Sequence, residues 1–236
     1  MTPETAMNVA IVGGTGEEGF GLALRLGRAR RHVIIGSRSH EKGTAAADRA
    51  RELLGDAEVD GATNQAAVRD AEVVFVTVPY EGQAEIYRSI KDDVAAGTIV
   101  VDSTSPLATA VGGRAWQVIR PWHGSAAEQA KAILDPGVRM VAAFHTIAGG
   151  QLQDLSREMD SDVLVCGKDA DAKATVGELI DAIPNLRWVD AGDLSMARIA
   201  EQMTALLISV NRAYKIHDAG FRVTGRGSWG TPPSKS

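Results

Sequence analysis

Gly14, Gly16 and Gly19 form the pattern Gly-x-Gly-x-x-Gly directly after the apolar run Val9-Ala10-Ile11-Val12. Between a strand and a helix, each of these glycines meets a need of pyrophosphate binding. Gly14 permits a tight turn, Gly16 lets the backbone approach the ligand, and Gly19 lets the helix pack close to the strand. The helix N-terminus then presents free N–H groups and a partial positive charge to the anion. Glu17 and Glu18 share that first turn, where acids are tolerated, and their side chains are expected to point to solvent.

The second group of chemical interest is Gly36-Ser37-Arg38-Ser39, with Lys42 four residues beyond Arg38. In a dinucleotide-binding fold of this kind, an acid at the end of the second strand takes the ribose hydroxyls of NAD. No carboxylate stands there. Ser37 can hydrogen-bond a 2′-phosphate, Arg38 can fork onto it, and Lys42 adds a second positive charge. These residues favour NADP over NAD. A lone histidine, His145, closes a further apolar run, Val138–Phe144, at the strand end where such folds bind ligands. It is expected to orient a ligand by a hydrogen bond rather than to move a proton. His123, beside Trp122, is a weaker candidate for a pocket mouth.

Alternating strands and helices must position these groups. His32–Gly36 reads as a second strand and Glu41–Leu54 as a helix, with a weak third strand near Glu58–Gly61 and a short helix at Asn64–Arg69. Glu72–Val78 is a buried strand stopped by Pro79, Glu81–Ile90 is helical, and Thr98–Asp102 is a further strand. This alternation specifies a Rossmann-type, doubly wound parallel sheet with helices on both faces. From Ser103 to Gly124 no period holds, and so long a loop is expected to be functional or mobile. A helix is expected at Ser125–Leu134, opened by a capping box. The last third predicts a strand at Asp162–Cys166, a helix at Ala172–Ile183, a strand at Leu186–Val189 and an apolar helix from Met196 to Val210. The expected organisation is a Rossmann domain over 1–150, a smaller C-terminal α/β domain over 151–225, and disorder at 1–7 and 226–236.

Composition sets the outer bounds. The chain has 25 basic and 30 acidic side chains, a net charge of −5 and 44% hydrophobic residues, as expected for a globular enzyme and not for a general nucleic-acid binder. No apolar run reaches membrane-spanning length. The one cysteine, Cys166, excludes an internal disulfide, is expected to be a buried, inert thiol, and fits a cytoplasmic setting.

Taken together, NVAIVGGTGEEGFGLALRL, HVIIGSRSHEK, VTVPYEG, GSAAEQA, AFHTI, SDVLVCGKDADAK, DAGDLSMARI and MTALLISVNRAYKIHDAGFRVTG resemble the F420-dependent NADP oxidoreductases. They occur in family order from Asn8 to about Gly225. The resemblance implies a hydride passing between NADP(H) and the deazaflavin coenzyme F420, with the two rings face to face and no obligatory protein acid or base. It implies that Thr15, Ser37, Arg38 and Lys42 bind NADP and that Val78, Pro79 and Tyr80 line the nicotinamide side. His145, Ile147 and Thr204 would border the deazaflavin, and a homodimer is implied together with the apolar C-terminal helix. The sequence departs from the family at Ala148-Gly149-Gly150, where one branch carries proline, and at Gln202, where serine or proline is expected. Two other readings fit the residues: an NADPH-dependent reductase of an imine, flavin or metal chelate, and a non-enzymatic NADP sensor.

Overall fold

The computed structural model of the protein describes residues 7–225 and 229–231. The lead-in at 1–6 and most of the tail at 226–236, both expected to be disordered, lie outside the described residues.

Eight strands form one sheet in the order β3-β2-β1-β4-β5-β6-β7-β8. β1 (Asn8–Val12), β2 (His32–Ser37), β3 (Val59–Thr63), β4 (Val73–Val76), β5 (Ile99–Asp102) and β6 (Arg139–Ala142) are parallel. Their helices are α1 (Glu17–Arg28), α2 (His40–Leu54), α3 (Asn64–Val68), α4 (Tyr80–Ile90) and α5 (Ala126–Lys131). The chain leaves β1 for β2 on one side and returns to β4 on the other, so a crevice opens where β1 separates the two directions.

Side chains alternate across the sheet as the strand period requires. Val9, Ile11, Val73 and Phe75 join α1 and α2 in one core cluster, while Ala10, Val12, Val74 and Val76 join α3, α4 and α5 in the other. Both faces are thus covered, and the strands read as unbroken apolar runs.

The C-terminal third extends this sheet. β7 (Ser161–Gly167) pairs antiparallel with β6, and β8 (Leu186–Asp190) continues parallel to β7. Residues 151–225, expected as a smaller unit, therefore share the sheet with residues 1–150. The first core cluster also runs through α7 (Ala170–Asp181) and Trp188. The antiparallel turn had no signature in the periodicity, because β7 is buried on both faces like the parallel strands.

Two elements differ from the sequence expectation. A short helix, α6 (Gly149–Gln153), follows β6 at Gly149-Gly150, where helix propensity is poor. Tertiary contacts form it: the buried Arg25 guanidinium of α1 donates to the carbonyls of Gln151, Leu152, Asp154 and Arg157. A Cβ on Gly149 would lie 2.9 Å from Glu18 N. The lack of a side chain at Gly149 thus lets α6 sit against the start of α1.

The second difference is the segment 103–124. It is pinned, with a turn of 3₁₀ helix at Ala108–Val111 and a bridge between Leu107 and Val118. Arg114 and Arg212 both lie over the Trp116 ring, at 5.3 and 4.2 Å from its centre. Arg212 belongs to α8 (Ala197–Tyr214), so this contact ties the segment to the last helix. Trp122 and His123 are left exposed at its far end.

Candidate functional site

The glycine loop caps the crevice, and the structure redistributes the glycine roles. The positive φ, 75°, falls on Gly13 and not on Gly14, so Gly13 is the residue the turn requires. Gly14 is needed for space: a Cβ there would sit 2.8 Å from the carbonyl oxygen of Ile11. Gly19 is enclosed as expected, with Gly14 Cα 2.8 Å and Gly13 O 2.9 Å from an added Cβ and Thr77 Oγ1 nearer still. At Gly16, the N-cap of α1, the nearest neighbour would be Gly13 O at 3.3 Å, which leaves its outer side open to a ligand.

A cleft of about 510 Å³ runs from this loop along the ends of β2 and β4. Its lining contains Gly13, Thr15, Gly16, Ser37, Arg38, Lys42, Val78 and Pro79, together with Asn64 and Thr77, which the sequence reading missed. Asn64 Oδ1 accepts from Gly13 N at 3.3 Å and so braces the loop. Ser37 ends β2 and is buried, whereas Arg38 and Lys42 are exposed and make no ion pair among the described residues. Ser39 caps α2 by accepting from Lys42 N at 3.3 Å, which holds Lys42 in the first turn. This donor set, an open glycine cradle with two unpaired cations beside it, suits a phosphorylated dinucleotide. Tyr80 is not among the cleft-lining residues; its hydroxyl donates to Gln129 Oε1 at 3.1 Å.

His145, Ile147 and Thr204 come together elsewhere, at the ends of β5 and β6. Phe144 has φ of 72°, rare for a bulky side chain. It turns into the core, edge-on to Phe75 at 5.6 Å, and His145 follows it. Such backbone strain clusters at functional sites. Thr204 of α8 donates to the His145 carbonyl at 2.7 Å and meets Ser105 Oγ at 2.6 Å. The His145 ring is buried and neither ring nitrogen has a hydrogen-bond partner. Burial pushes its pKa down to about 4, so it is neutral at pH 7. A buried imidazole with two orphan nitrogens is suited to a polar ligand.

Two acids stand beside this histidine, and the sequence reading assigned neither of them a role there. Donor atoms of Asp102, His145 and Glu201 all lie within 4.8 Å of one another, and all three residues are buried. Asp102, at the end of β5, accepts from Gln83 Nε2, Tyr87 OH, Thr104 Oγ1 and Thr104 N at 2.8–3.2 Å. Burial still raises its pKa to about 6. Glu201 accepts from Ala126 N at 2.9 Å and Ala127 N at 3.1 Å. Burial raises its pKa to about 8, with Asp102 and Glu128 adding to the rise. Asp102 is thus crowded with protein donors, while each Glu201 oxygen takes one bond and both His145 nitrogens remain free.

Glu18 corrects an expectation outright. The residue is partly buried and its Oε1 is enclosed with no hydrogen-bond partner; burial, with nearby Asp102 adding and Ser103 opposing, raises its pKa to about 8. Glu201 carried a legible signal, since Ala197, Ala200, Glu201 and Ala205 share the buried stripe of α8. Gln202 is exposed. Cys166 is buried as expected, with burial pushing its thiol up to about 12.

Residues 8–106 match the family model described as NADP oxidoreductase, coenzyme F420-dependent. The chain is 41% identical over 221 residues to the F420-dependent NADP reductase of Methanothermobacter marburgensis, spanning 92% of this chain and 98% of that one. It is 40% identical to the enzyme of that name from Methanocaldococcus jannaschii, with the same coverage. A crystal structure of a protein from Arthrobacter sp. FB24 superposes with a TM-score of 0.79 at 25% identity, covering 93% of this chain and all of the other. With near-complete alignment at this identity, the chain belongs to the F420-dependent NADP oxidoreductase family.

Proposed function

We propose that this protein transfers a hydride between NADP(H) and coenzyme F420. The observation that carries the reading is the pairing of two sites at one end of the sheet. One is a glycine-loop cleft with free Arg38 and Lys42; the other is the strained turn that sets a partnerless His145 beside Ile147 and Thr204. The chemistry between them belongs to the cofactors, nicotinamide giving or taking the hydride and deazaflavin doing the reverse. The protein's part is to bind and orient.

In this reading Gly14, Thr15, Gly16 and Gly19 form the pyrophosphate loop, and Ser37, Arg38 and Lys42 select the 2′-phosphate. Val78 and Pro79 line the nicotinamide side, with Tyr80 supporting it from α4. His145 offers its ring nitrogens to the deazaflavin, Ile147 supplies an apolar wall, and Thr204 holds the His145 backbone in place. Support for a homodimer comes from α8, which leaves Ile199 and Leu206 more than half exposed. Among the described residues no helix is long and apolar enough to cross a membrane, which accords with a cytoplasmic enzyme.

The test mixes the protein with NADPH and F420 and follows loss of deazaflavin absorbance, with FMN and a simple imine as controls. Turnover with F420 alone is expected. Turnover with a control but not F420 would reassign the second substrate, and none with any acceptor would favour a sensor. Sedimentation of the wild type and Leu206→Glu decides the homodimer, which requires a dimer that the variant disrupts.

A further inference from the structure

Reduction of a deazaflavin by NADPH consumes a proton as well as a hydride, and the buried acids beside His145 form a store for it. We propose that Glu201 holds this proton and passes it through His145 to the deazaflavin that His145 borders, making Glu201 a positioning residue for the proton half of the reaction. The inference rests on the F420 reading above.

Geometry carries the argument. Each Glu201 oxygen already accepts a backbone N–H, from Ala126 and Ala127, so a hydroxyl proton on it must point to the remaining open side. His145 and Asp102 each bring a donor atom within 4.8 Å of Glu201. That span suits one bridging water, whose two partners lie about 4.5 Å apart when each bond is near 2.8 Å. Asp102 is crowded with four donors and is the poorer acceptor. His145 has both nitrogens free, so a proton can enter one nitrogen as the other's proton leaves.

The surroundings raise the Glu201 pKa, against the Ala126 and Ala127 N–H groups that favour its carboxylate. Facing it are Asp102 from β5, Glu128 from α5, Tyr80 from α4 and Cys166 from β7. No cation forms an ion pair with it among the described residues. Arg198, on its own helix, pairs with Glu128 at 3.6 Å. Burial among acids and neutral groups disfavours the carboxylate, and the neutral His145 beside it adds no stabilising positive charge.

The step balances. The nicotinamide C4–H bond breaks with its electron pair and the hydride forms a C–H bond at deazaflavin C5. NADPH is oxidised and the deazaflavin reduced. The reduced ring takes one proton at nitrogen from His145, His145 takes one from Glu201, and solvent reprotonates Glu201.

Infrared spectroscopy and single-turnover kinetics test it on the wild type, Glu201→Gln and Glu18→Gln. At pH 7 the wild type should show a carboxylic-acid carbonyl band that Glu201→Gln removes, with a midpoint near pH 8. Glu18→Gln assigns the band of the other buried acid. Glu201→Gln should slow F420 reduction roughly 10²-fold, abolish the fall in rate above pH 8, and leave NADPH affinity within about threefold. An ionised Glu201 at pH 7, or a variant that keeps the wild-type rate and pH profile, overturns the proposal. So does a stoichiometric divalent cation that His145→Ala loses. If Glu201→Gln does not fold, Glu201→Asp with the wild-type band decides the same question. Wild-type protein that never reduces F420 defeats the substrate reading, and the relay with it. Turnover without the Glu201 band defeats the relay alone.

Discussion

Thr204 Oγ1 donates a 2.7 Å hydrogen bond to the carbonyl oxygen of His145, and so fastens α8 to the strained turn after β6. The same hydroxyl meets Ser105 Oγ at 2.6 Å, so one side chain joins three segments. Thr204→Val keeps the shape and deletes the bond, at a cost of about 1 kcal/mol. The expected outcome is a raised KM for F420 with NADPH affinity unchanged, measured by steady-state kinetics and by NADPH fluorescence titration. His145→Ala should likewise impair the F420 step more than NADPH binding. An unchanged F420 rate would remove His145 from the site.

Arg38 lies exposed at the cleft with no acid paired to it. Its replacement by alanine should weaken NADPH binding by about 1.5–3 kcal/mol, the worth of hydrogen bonds between charged groups. That is roughly a tenfold to hundredfold rise in Kd, read by titration. NADH binding should change little, since it lacks the 2′-phosphate. Equal losses for both nucleotides would contradict the assignment.

Gly19 packs α1 onto the loop with no room for a methyl group, Gly14 Cα being 2.8 Å from the Cβ position. Gly19→Ala should destabilise the protein by roughly 1–3 kcal/mol, lowering its urea midpoint. Gly82→Ala, where an added Cβ meets nothing within 4 Å, serves as the control.

Glu18 has a partly enclosed carboxyl whose folded-state pKa, about 8, stands above its ordinary value of 4.5. Its contribution to stability is full below 4.5, where both states are protonated, and falls as pH rises toward 8. The unfolded chain releases that proton first, at about 1.4 kcal/mol per pH unit. Glu18→Gln cannot titrate, so its stability should fall less than that of the wild type between pH 5 and 8. Parallel curves from urea unfolding at several pH values would show that Glu18 ionises normally.

The cleft was legible in the sequence because its parts are local. A strand, a glycine turn and a helix start lie within Asn8–Gly21, and Ser37, Arg38 and Lys42 fall on the next strand end and helix cap. Asn64 and Thr77, which also line it, were not legible, since single polar residues at strand ends carry no spacing signal.

What the sequence determined by itself was the period of each element, the glycine loop and the absence of an acid at the end of β2. These depend on neighbours along the chain, where apolar period and turn chemistry act. Only the tertiary structure decided that Gly13 rather than Gly14 takes the positive φ, and that β7 runs antiparallel on the same sheet. It also decided that Asp102 and Glu201, from β5 and α8, come to be buried beside His145, and that the Glu18 carboxyl of α1 lies near Asp102. Burial and ionisation depend on what packs against a group from distant segments, and that is a property of three dimensions.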